Sequence, residues 1–295
     1  MSMKEYYDTR APEYDEWYLG LGRFDGIERP DWDEDVDALE QTIAALPAAQ
    51  TLDVACGTGF LTRHLRGSVT ALEQSRRMLA IASERLCAAT IVHGDALDLP
   101  FGDDSFDRVF TGHFYGHLEE PERERFVAEA RRVAPELIVV DAAVRPDRQR
   151  AERQQRVLND GTRFEVYKRH FRGDELAQEL GGGEVLLENR WFVAVASRRR
   201  PVACSLSSAD AAKRQGEWQR LLRGAALERI AVPGGMRVKF RADDAIRAEL
   251  DRLVDAERTC SPFLELTVEA SAEGGLVLTV TAPHDAEPVV QALLG

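Results

Sequence analysis

The chain has 295 residues, of which 44% are hydrophobic and 30% are charged, the balance of a globular protein rather than a disordered one. Its 51 acidic residues outnumber the 38 basic ones, and the net charge of -13 argues against nucleic acid or an anionic membrane as a partner. The first residues lack the apolar segment of a secretory signal, and no apolar run is long enough to span a bilayer, so we expect a cytoplasmic protein.

Helical and strand-like patterns alternate between residue 33 and about residue 145. The patterns predict helices over residues 33–46, 60–65, 76–86 and 119–133, and strands over residues 51–55, 69–72, 90–92, 106–111 and 137–140. Such βαβ units are typical of a parallel sheet with helices on both faces. Further along, residues 147–160 have a polar helical pattern, residues 173–180 a short helix, and residues 184–197 a hairpin that adds an antiparallel edge.

The last part of the chain changes character. Helices are predicted over residues 208–226 and 243–259 and at the end. Strands are predicted before the turn at residues 233–235 and over residues 236–242, 263–271 and 276–282. The similar segments 234–238 and 274–278 begin two of these strands, which predicts a small α+β domain of two αββ units. We therefore expect a first domain over residues 1–198, a linker over 199–205 and an accessory domain over 206–295.

A glycine-containing segment, residues 53–59 (DVACGTG), follows the first predicted strand. Glycines let the backbone approach a ligand closely, and the predicted helix after them would offer unpaired N–H groups. Glu73 ends the next strand, where a carboxylate accepts hydrogen bonds from ribose hydroxyls in nucleotide-binding α/β folds. Thr62 stands where the dinucleotide fingerprint has its third glycine. Because Asp53 suits a cationic amino group better than a pyrophosphate, these residues favour S-adenosylmethionine over a nicotinamide cofactor.

Several motifs together resemble the class I S-adenosylmethionine-dependent methyltransferases. They are LDVACGTG (52–59), ALEQSRRML (71–79), HGDALDLPF (93–101) and FDRVFTGHFYGHL (106–118), preceded by YYDTRAPEYDEWY (6–18), which is similar to a segment that often caps the cofactor. The resemblance covers about residues 1–198. It implies a Rossmann-like, mainly parallel seven-stranded α/β sheet. It also implies that the protein transfers a methyl group from S-adenosylmethionine to a small or medium organic acceptor by in-line displacement.

The resemblance also implies which residues bind the cofactor. Glu73 would bind the ribose, and Asp95, with Ala96 beside it, would meet the adenine amino group. The full set of cofactor candidates is Asp53, Cys56, Gly57, Gly59, Glu73, Gln74, Asp95, Ala96, Thr111, Arg10 and Tyr14. Simpler interpretations stay open: the glycines as turn residues, Glu73 as a solvated acid, Asp95 as a turn former, and Arg10 and Tyr14 as surface-helix residues.

Candidates for acceptor chemistry follow the fourth predicted strand, at the sheet edge where ligands bind in this fold. We name His113, Tyr115 and His117 as catalytic candidates, because a neutral imidazole there could act as a general base. The alternative is a histidine that only hydrogen-bonds within the loop. The two histidines have a zinc-like spacing without a third ligand nearby, so no metal is predicted. Residues 163–169 either line the acceptor pocket or form a solvated loop.

The chain has 4 cysteines, Cys56, Cys87, Cys204 and Cys260, without a CxxC pair, and we expect reduced thiols. Cys204 and Cys260 could jointly bind a soft metal, but small thiols that fill a core are the simpler interpretation. Two alternative functions stay open: a non-catalytic S-adenosylmethionine-binding module and a nicotinamide-dependent oxidoreductase. The sequence does not identify the acceptor, the role of the C-terminal domain or the oligomeric state, for which a homodimer stays open.

Overall fold

The computed structural model describes residues 3–199, 208–261, 263–271, 274–282 and 286–295. These residues form two compact units, which divide between residues 199 and 200. The predicted linker falls at this division, and its part beyond residue 199, with Cys204, lies outside the described residues. The roles given to the two predicted domains stay predictions.

The N-terminal unit contains nine described strands. They are β1 (Ala49–Val54), β2 (Gly67–Glu73), β3 (Thr90–His93), β4 (Arg108–Gly112), β5 (Glu136–Ala142), β6 (Ala151–Val157), β7 (Arg163–Arg169), β8 (Glu184–Glu188) and β9 (Phe192–Arg198). Seven of them form one sheet in the order β3-β2-β1-β4-β5-β9-β8. The first five are parallel, and β9 pairs antiparallel with both β5 and the edge strand β8. The predicted mainly parallel seven-stranded sheet is therefore confirmed.

Helices pack on both faces of this sheet. They are α2 (Glu16–Leu19), α3 (Trp32–Ala45), α4 (Arg76–Arg85), α5 (Glu120–Val133) and α6 (Gly173–Glu179). The first helix, α1 (Met3–Arg10), packs instead against the ribbon strand β7 through Tyr6. Successive residues of β5 belong to the hydrophobic cores on opposite faces of the sheet: Val139 packs with Phe126 of α5, and Val140 packs with Ile43 of α3. A strand covered on both faces needs a continuous apolar run, which β5 has. Within the described ranges, no helix is long and apolar enough to cross a membrane.

Two predicted helices are wrong. Residues 147–160 contain β6, which pairs with β7 in a two-stranded antiparallel ribbon. Their polar sequence has no apolar period, and the partner strand, not local propensity, determines the conformation. Residues 60–65 contain only a 3-10 turn, Thr62–His64. Few residues separate β1 from β2, and the glycine loop uses the first of them, so a full helix does not fit.

The C-terminal unit has the predicted αββαββ order followed by a final helix. Its described elements are α7 (Ser208–Ala225), β10 (Ala226–Val232), β11 (Gly235–Arg241), α8 (Asp244–Cys260), β12 (Glu265–Ser271), β13 (Gly275–Thr281) and α9 (Glu287–Leu294). The four strands form an antiparallel sheet in the order β10-β11-β13-β12. Trp218 is fully buried in its core, and the indole Nε1–H donates to Glu257 Oε1 at 3.0 Å. This unit has a core of its own.

Candidate active site

The parallel strands place the candidate residues at one edge of the sheet. The glycine loop follows β1, Glu73 ends β2, Asp95 follows β3 and His113 follows β4. The strand order reverses between β1 and β4, because the chain continues from β1 to β2 on one side and returns to β4 on the other. Open α/β sheets bind ligands at such a reversal, beyond the carboxyl ends of the strands.

The loop after β1 has an unusual backbone. Ala55, Gly57 and Gly59 have φ angles of 59°, 57° and 76°, all in the left-handed region. This conformation costs a residue with a Cβ, such as Ala55, about 1–2 kcal/mol, and strain of this kind concentrates at functional sites. A Cβ on Gly59 would lie 2.8 Å from Leu86 Cδ1. The loop therefore requires glycine and exposes backbone to a ligand.

Glu73 is tied to this loop. Its carboxylate is 5% exposed and accepts hydrogen bonds from the N–H of Gly57 at 3.2 Å and from the N–H of Ser75 at 2.8 Å. Burial raises the pKa of Glu73, and the two N–H groups oppose this effect. A carboxylate has about four acceptor positions, so two backbone bonds leave room for hydroxyl donors.

Asp53 is the penultimate residue of β1, and one of its carboxylate oxygens has no hydrogen-bond partner among the described residues. It is 2% exposed, and Oδ2 accepts a hydrogen bond from Thr62 Oγ1 at 2.6 Å. Among the described residues, Oδ1 is buried without a partner, and burial raises the pKa of Asp53 to about 7. A buried acceptor of this kind is costly unless a ligand satisfies it. The residues therefore fit a nucleoside with a cationic amino group, as S-adenosylmethionine has.

The N-terminal segment is attached to the same loop. The ring of Tyr14 lies beside Gly57: a Cβ on Gly57 would be 3.6 Å from the nearest ring carbon. Arg10 stacks on Tyr14, with 4.9 Å between the guanidinium carbon and the ring centroid. Two hydrogen bonds fix the segment: Thr58 Oγ1 to Asp15 Oδ1 at 2.6 Å and Ser75 Oγ to Asp8 Oδ1 at 2.6 Å. Arg10 and Tyr14 thus lie at the loop, in a position to cover a ligand.

The other cofactor candidates differ in what their side chains can offer. Asp95 is exposed, and its Oδ1 accepts a hydrogen bond at 2.9 Å from the N–H two residues further on, as a turn former does. Thr111 is fully buried, and its hydroxyl donates at 2.8 Å to the carbonyl that ends β1. Burial raises the pKa of the Cys56 thiol. Gln74 is half-buried and Ala96 buried, and their contacts with a cofactor stay predictions.

His113 forms an apolar wall of the site. Its φ is 59°, and the imidazole contacts Trp17 and Phe192 with ring centroids 5.1 and 5.6 Å apart. Burial lowers the pKa of His113 to about 4, so the ring is neutral at pH 7. Its Nε2 is buried and has no hydrogen-bond partner among the described residues.

One ring nitrogen of His117 is held by a hydrogen bond to the backbone. Its Nδ1 lies 2.7 Å from the carbonyl oxygen of Tyr167, so Nδ1 carries the proton and Nε2 keeps its lone pair. Burial lowers the pKa of His117 well below its usual value, and the charge of Lys168 adds to this effect. The ring of Tyr7 packs edge-on against the imidazole, with 6.2 Å between centroids.

The side chain of Tyr115 is buried in the hydrophobic core and does not face the candidate site. It is 1% exposed, and its ring packs against Phe126 and Phe171. The hydroxyl donates to Glu179 Oε1 at 2.9 Å, and Arg123 Nε donates to the same oxygen at 2.8 Å. Burial raises the pKa of Tyr115, and this arrangement favours a structural role over the predicted catalytic one.

Sequence reasoning missed a buried ion pair at the site. Asp141 of β5 is fully buried, contacts the ammonium of Lys168 on β7, and accepts a hydrogen bond from the N–H of Gly116 at 2.7 Å. Burial opposes ionisation of Asp141, but Lys168 outweighs it and the pKa is lowered. The signal in the sequence was a single acid at the end of the apolar run 137–140. The pair positions the loop that carries His113 and His117.

No metal centre is assembled in the part of the chain that the structure describes, where no three His, Cys, Asp or Glu side chains converge. Cys260 is buried in the C-terminal unit, and its Sγ lies 3.4 Å from Glu257 Oε2. A joint site with Cys204 is not tested, because Cys204 lies outside the described residues.

Comparison with known proteins identifies similar sequences. Residues 52–136 match the family model described as a methyltransferase domain. Demethylmenaquinone methyltransferase of Shouchella clausii is 39% identical over 94 residues, which are 28% of this chain and 39% of that protein. The dTDP-3-amino-3,6-dideoxy-alpha-D-glucopyranose N,N-dimethyltransferase of Streptomyces fradiae is 43% identical over 101 residues, which are 32% of this chain and 38% of that protein. The chain thus spans about two fifths of the curated relatives it matches.

Solved structures extend the similarity to about two thirds of the chain. The structure described as "DhpI-SAH complex structure" aligns with 67% of this chain and 95% of that chain, at 29% identity and a TM-score of 0.54. The structure described as "DhpI-SAM-HEP complex" covers 66% and 95%, at 27% identity and a TM-score of 0.52. The fold is therefore shared with proteins solved in complex with S-adenosylmethionine or its demethylated product.

Proposed function

We propose that this chain, whose N-terminal unit is a class I S-adenosylmethionine-dependent methyltransferase domain, transfers a methyl group to a small or medium organic acceptor. The observation that supports it most is the pair of buried carboxylates at the reversal point of the sheet. Glu73 accepts from the glycine loop and keeps acceptor positions, while Asp53 has an oxygen without a partner among the described residues. The names of the two relatives above give demethylmenaquinone and a dTDP-linked amino sugar as their acceptors. Because these acceptors differ, the relatives do not identify the acceptor of this chain.

The residues that would hold the cofactor contact different parts of it. Glu73 accepts hydrogen bonds from the ribose hydroxyls, and Asp53 accepts one from the amino group. Tyr14 and Arg10 cover the nucleoside from the N-terminal segment. S-adenosylmethionine, when bound, supplies a methyl group on a positively charged sulfur, which the acceptor's nucleophile takes by in-line displacement with S-adenosylhomocysteine as product.

On the acceptor side, we assign the role of general base to His117. Its Nε2 receives the proton that a hydroxyl, thiol or ammonium acceptor loses, while Nδ1–H stays bound to Tyr167. General-base catalysis of this kind contributes about 10²–10⁴-fold. His113 and Trp17 form a wall that excludes water, and Asp141 with Lys168 holds the loop in place. Positioning of the two reactants supplies up to about 7–11 kcal/mol.

A product assay tests this function. The full chain is incubated with S-adenosylmethionine and a panel of quinol, phenol, amine and organic-acid acceptors, and S-adenosylhomocysteine is measured. We expect turnover with at least one acceptor class, and much slower turnover for His117→Gln at equal cofactor occupancy. Cofactor binding without turnover on any acceptor would instead support a non-catalytic binding module. Binding of NAD in place of S-adenosylmethionine would contradict the proposal.

A further inference from the structure

The ribbon of β6 and β7 has one face that is turned inward. Arg156 pairs with Phe164, and Gln154 with Val166, in the antiparallel register. Residues that pair directly across two strands lie on the same face. Phe164 and Val166 are buried, and so is Lys168, two positions further along β7. Arg156 and Lys168 therefore both belong to the inner face, on the side where Lys168 meets Asp141.

Arg156 is half-buried and lacks an anionic partner among the described residues. Its Nε is buried without a hydrogen bond, and no carboxylate of the described residues lies within ion-pair distance of it. Arg145 and Arg214 also have a buried nitrogen without a hydrogen bond, but Asp147 lies 3.3 Å from the first and Glu257 3.8 Å from the second. A guanidinium with a buried nitrogen and no anion nearby is unfavourable, so a ligand that supplies the anion would be stabilised there.

A second cation without a carboxylate faces the same region. Arg10 donates from Nη1 to the hydroxyl of Tyr6 at 2.6 Å and otherwise contacts aromatic rings. Tyr6 in turn packs edge-on against Phe164, the cross-strand partner of Arg156, with 5.2 Å between ring centroids. The two guanidinium groups therefore converge on one side of the ribbon.

The electrostatic effects agree with this placement. Burial is the main cause that lowers the pKa of Arg156, and the charge of Arg10 acts in the same direction. Both arginines also lower the pKa of Lys168, after the larger effect of burial. Arg156 acts on His117 as well. Three cations and the candidate base thus share one environment, in which Asp141 is the carboxylate bound to Lys168.

Building on the proposed function, we propose that the methyl acceptor carries an oxyanion, a carboxylate or a phosphoryl group, which binds between the guanidinium groups of Arg156 and Arg10. Guanidinium donates two parallel N–H bonds to either group, which fixes orientation as well as charge. The nucleophilic end of the acceptor then faces Nε2 of His117. On this proposal the inner face of the ribbon selects the substrate.

Anion binding to the full chain saturated with S-adenosylhomocysteine tests this inference. Inorganic phosphate and acetate are titrated by calorimetry, each against sodium chloride at equal ionic strength. We expect saturable binding of at least one anion, and a preference between them identifies a phosphoryl or a carboxylate acceptor. Arg156→Gln should weaken that binding about tenfold to a hundredfold, the value of one charge-assisted hydrogen bond, and Arg156→Lys should weaken it less.

The matched control is Arg163→Gln, on the neighbouring strand β7. Arg163 is exposed and lies on the outer face, because it alternates with the buried Phe164, so its loss should leave anion binding unchanged. The inference is wrong if neither anion binds better than chloride, or if Arg156→Gln binds as the wild type does. Affinity for S-adenosylhomocysteine in the same samples separates the two proposals: intact cofactor binding without anion binding removes only this inference. Thermal melting identifies variants that fail to fold.

Discussion

The cofactor side and the acceptor side of the candidate site are built in different ways. The proposed cofactor side lies mostly within residues 53–75, where Glu73 holds the backbone of the glycine loop, and Arg10 and Tyr14 join it from the N-terminal segment. The acceptor side combines α1, the loop after β4, the end of β5 and the β6–β7 ribbon. Its functional contacts are side-chain pairs between distant segments, such as Asp141 with Lys168. Cofactor recognition is therefore encoded locally, and acceptor recognition depends on tertiary packing.

The largest expected effect is on the cofactor side. Gly57→Arg should abolish detectable binding of S-adenosylmethionine in calorimetry, because a side chain at φ 57° is strained and fills the space in front of the loop. Gly161→Arg is the matched control: its φ is 85°, but nothing lies within 4 Å of a Cβ there. Equal binding by the two variants would show that the loop does not hold the cofactor.

A change on the acceptor side should leave cofactor binding intact. His117→Gln retains a side-chain N–H for the Tyr167 carbonyl but loses the basic Nε2. We expect kcat to fall about 10²–10⁴-fold with the affinity for S-adenosylmethionine unchanged. Steady-state kinetics with any acceptor found in the screen, together with calorimetry, checks both parts. A parallel loss of affinity and kcat would contradict the division into two sides.

The pH dependence of cofactor binding should report on Asp53. Its pKa of about 7 means that the carboxylate is protonated in more acidic solution and then carries no charge for the amino group. Affinity for S-adenosylmethionine should therefore fall by about tenfold per pH unit below the pKa of the apoprotein. Calorimetry between pH 5 and pH 8 measures the slope. A flat profile would exclude Asp53 as the acceptor of that amino group.

Asp53→Asn is the control for this profile, and it should also change stability. A pKa raised on folding favours the folded state of the apoprotein at low pH, and this contribution is lost as pH rises through about 7. The charged carboxylate then destabilises the apoprotein by up to about 4 kcal/mol. Asp53→Asn should bind S-adenosylmethionine weakly without a pH dependence and melt at a higher temperature than the wild type at pH 8. A lower melting temperature would contradict the burial cost.

The smallest effect is expected for Tyr115→Phe. Removal of the hydroxyl loses one hydrogen bond to Glu179, which keeps Arg123 as a partner. Stability should fall by about 0.5–1.5 kcal/mol in denaturant unfolding, with kcat unchanged. A large loss of kcat at unchanged stability would restore the catalytic role that the sequence predicts.

The same division explains what could be predicted from the sequence. The apolar strands and the segment around Gly57 and Glu73 carry local signals, and the predicted parallel sheet with its edge hairpin is confirmed. The strand β6 could not be recognised, because its polar residues are ordered by pairing with β7. Asp141 and Arg156 gave little local signal, since their partners lie on other segments. For Tyr115 the sequence was misleading in the opposite way: the residue is close to the candidate base in sequence, but the ring of Tyr115 is buried in the core.

Calorimetric titration of S-adenosylmethionine into wild-type protein and Glu73→Ala tests the central claim most directly. We predict one site with submillimolar affinity in the wild type, and at least about a tenfold loss in Glu73→Ala, because the ribose loses charge-assisted acceptors and the loop loses its anchor. Glu84→Ala, an exposed acid on α4, should bind as the wild type does. No heat with millimolar ligand, or equal affinity in wild type and Glu73→Ala, would contradict the account.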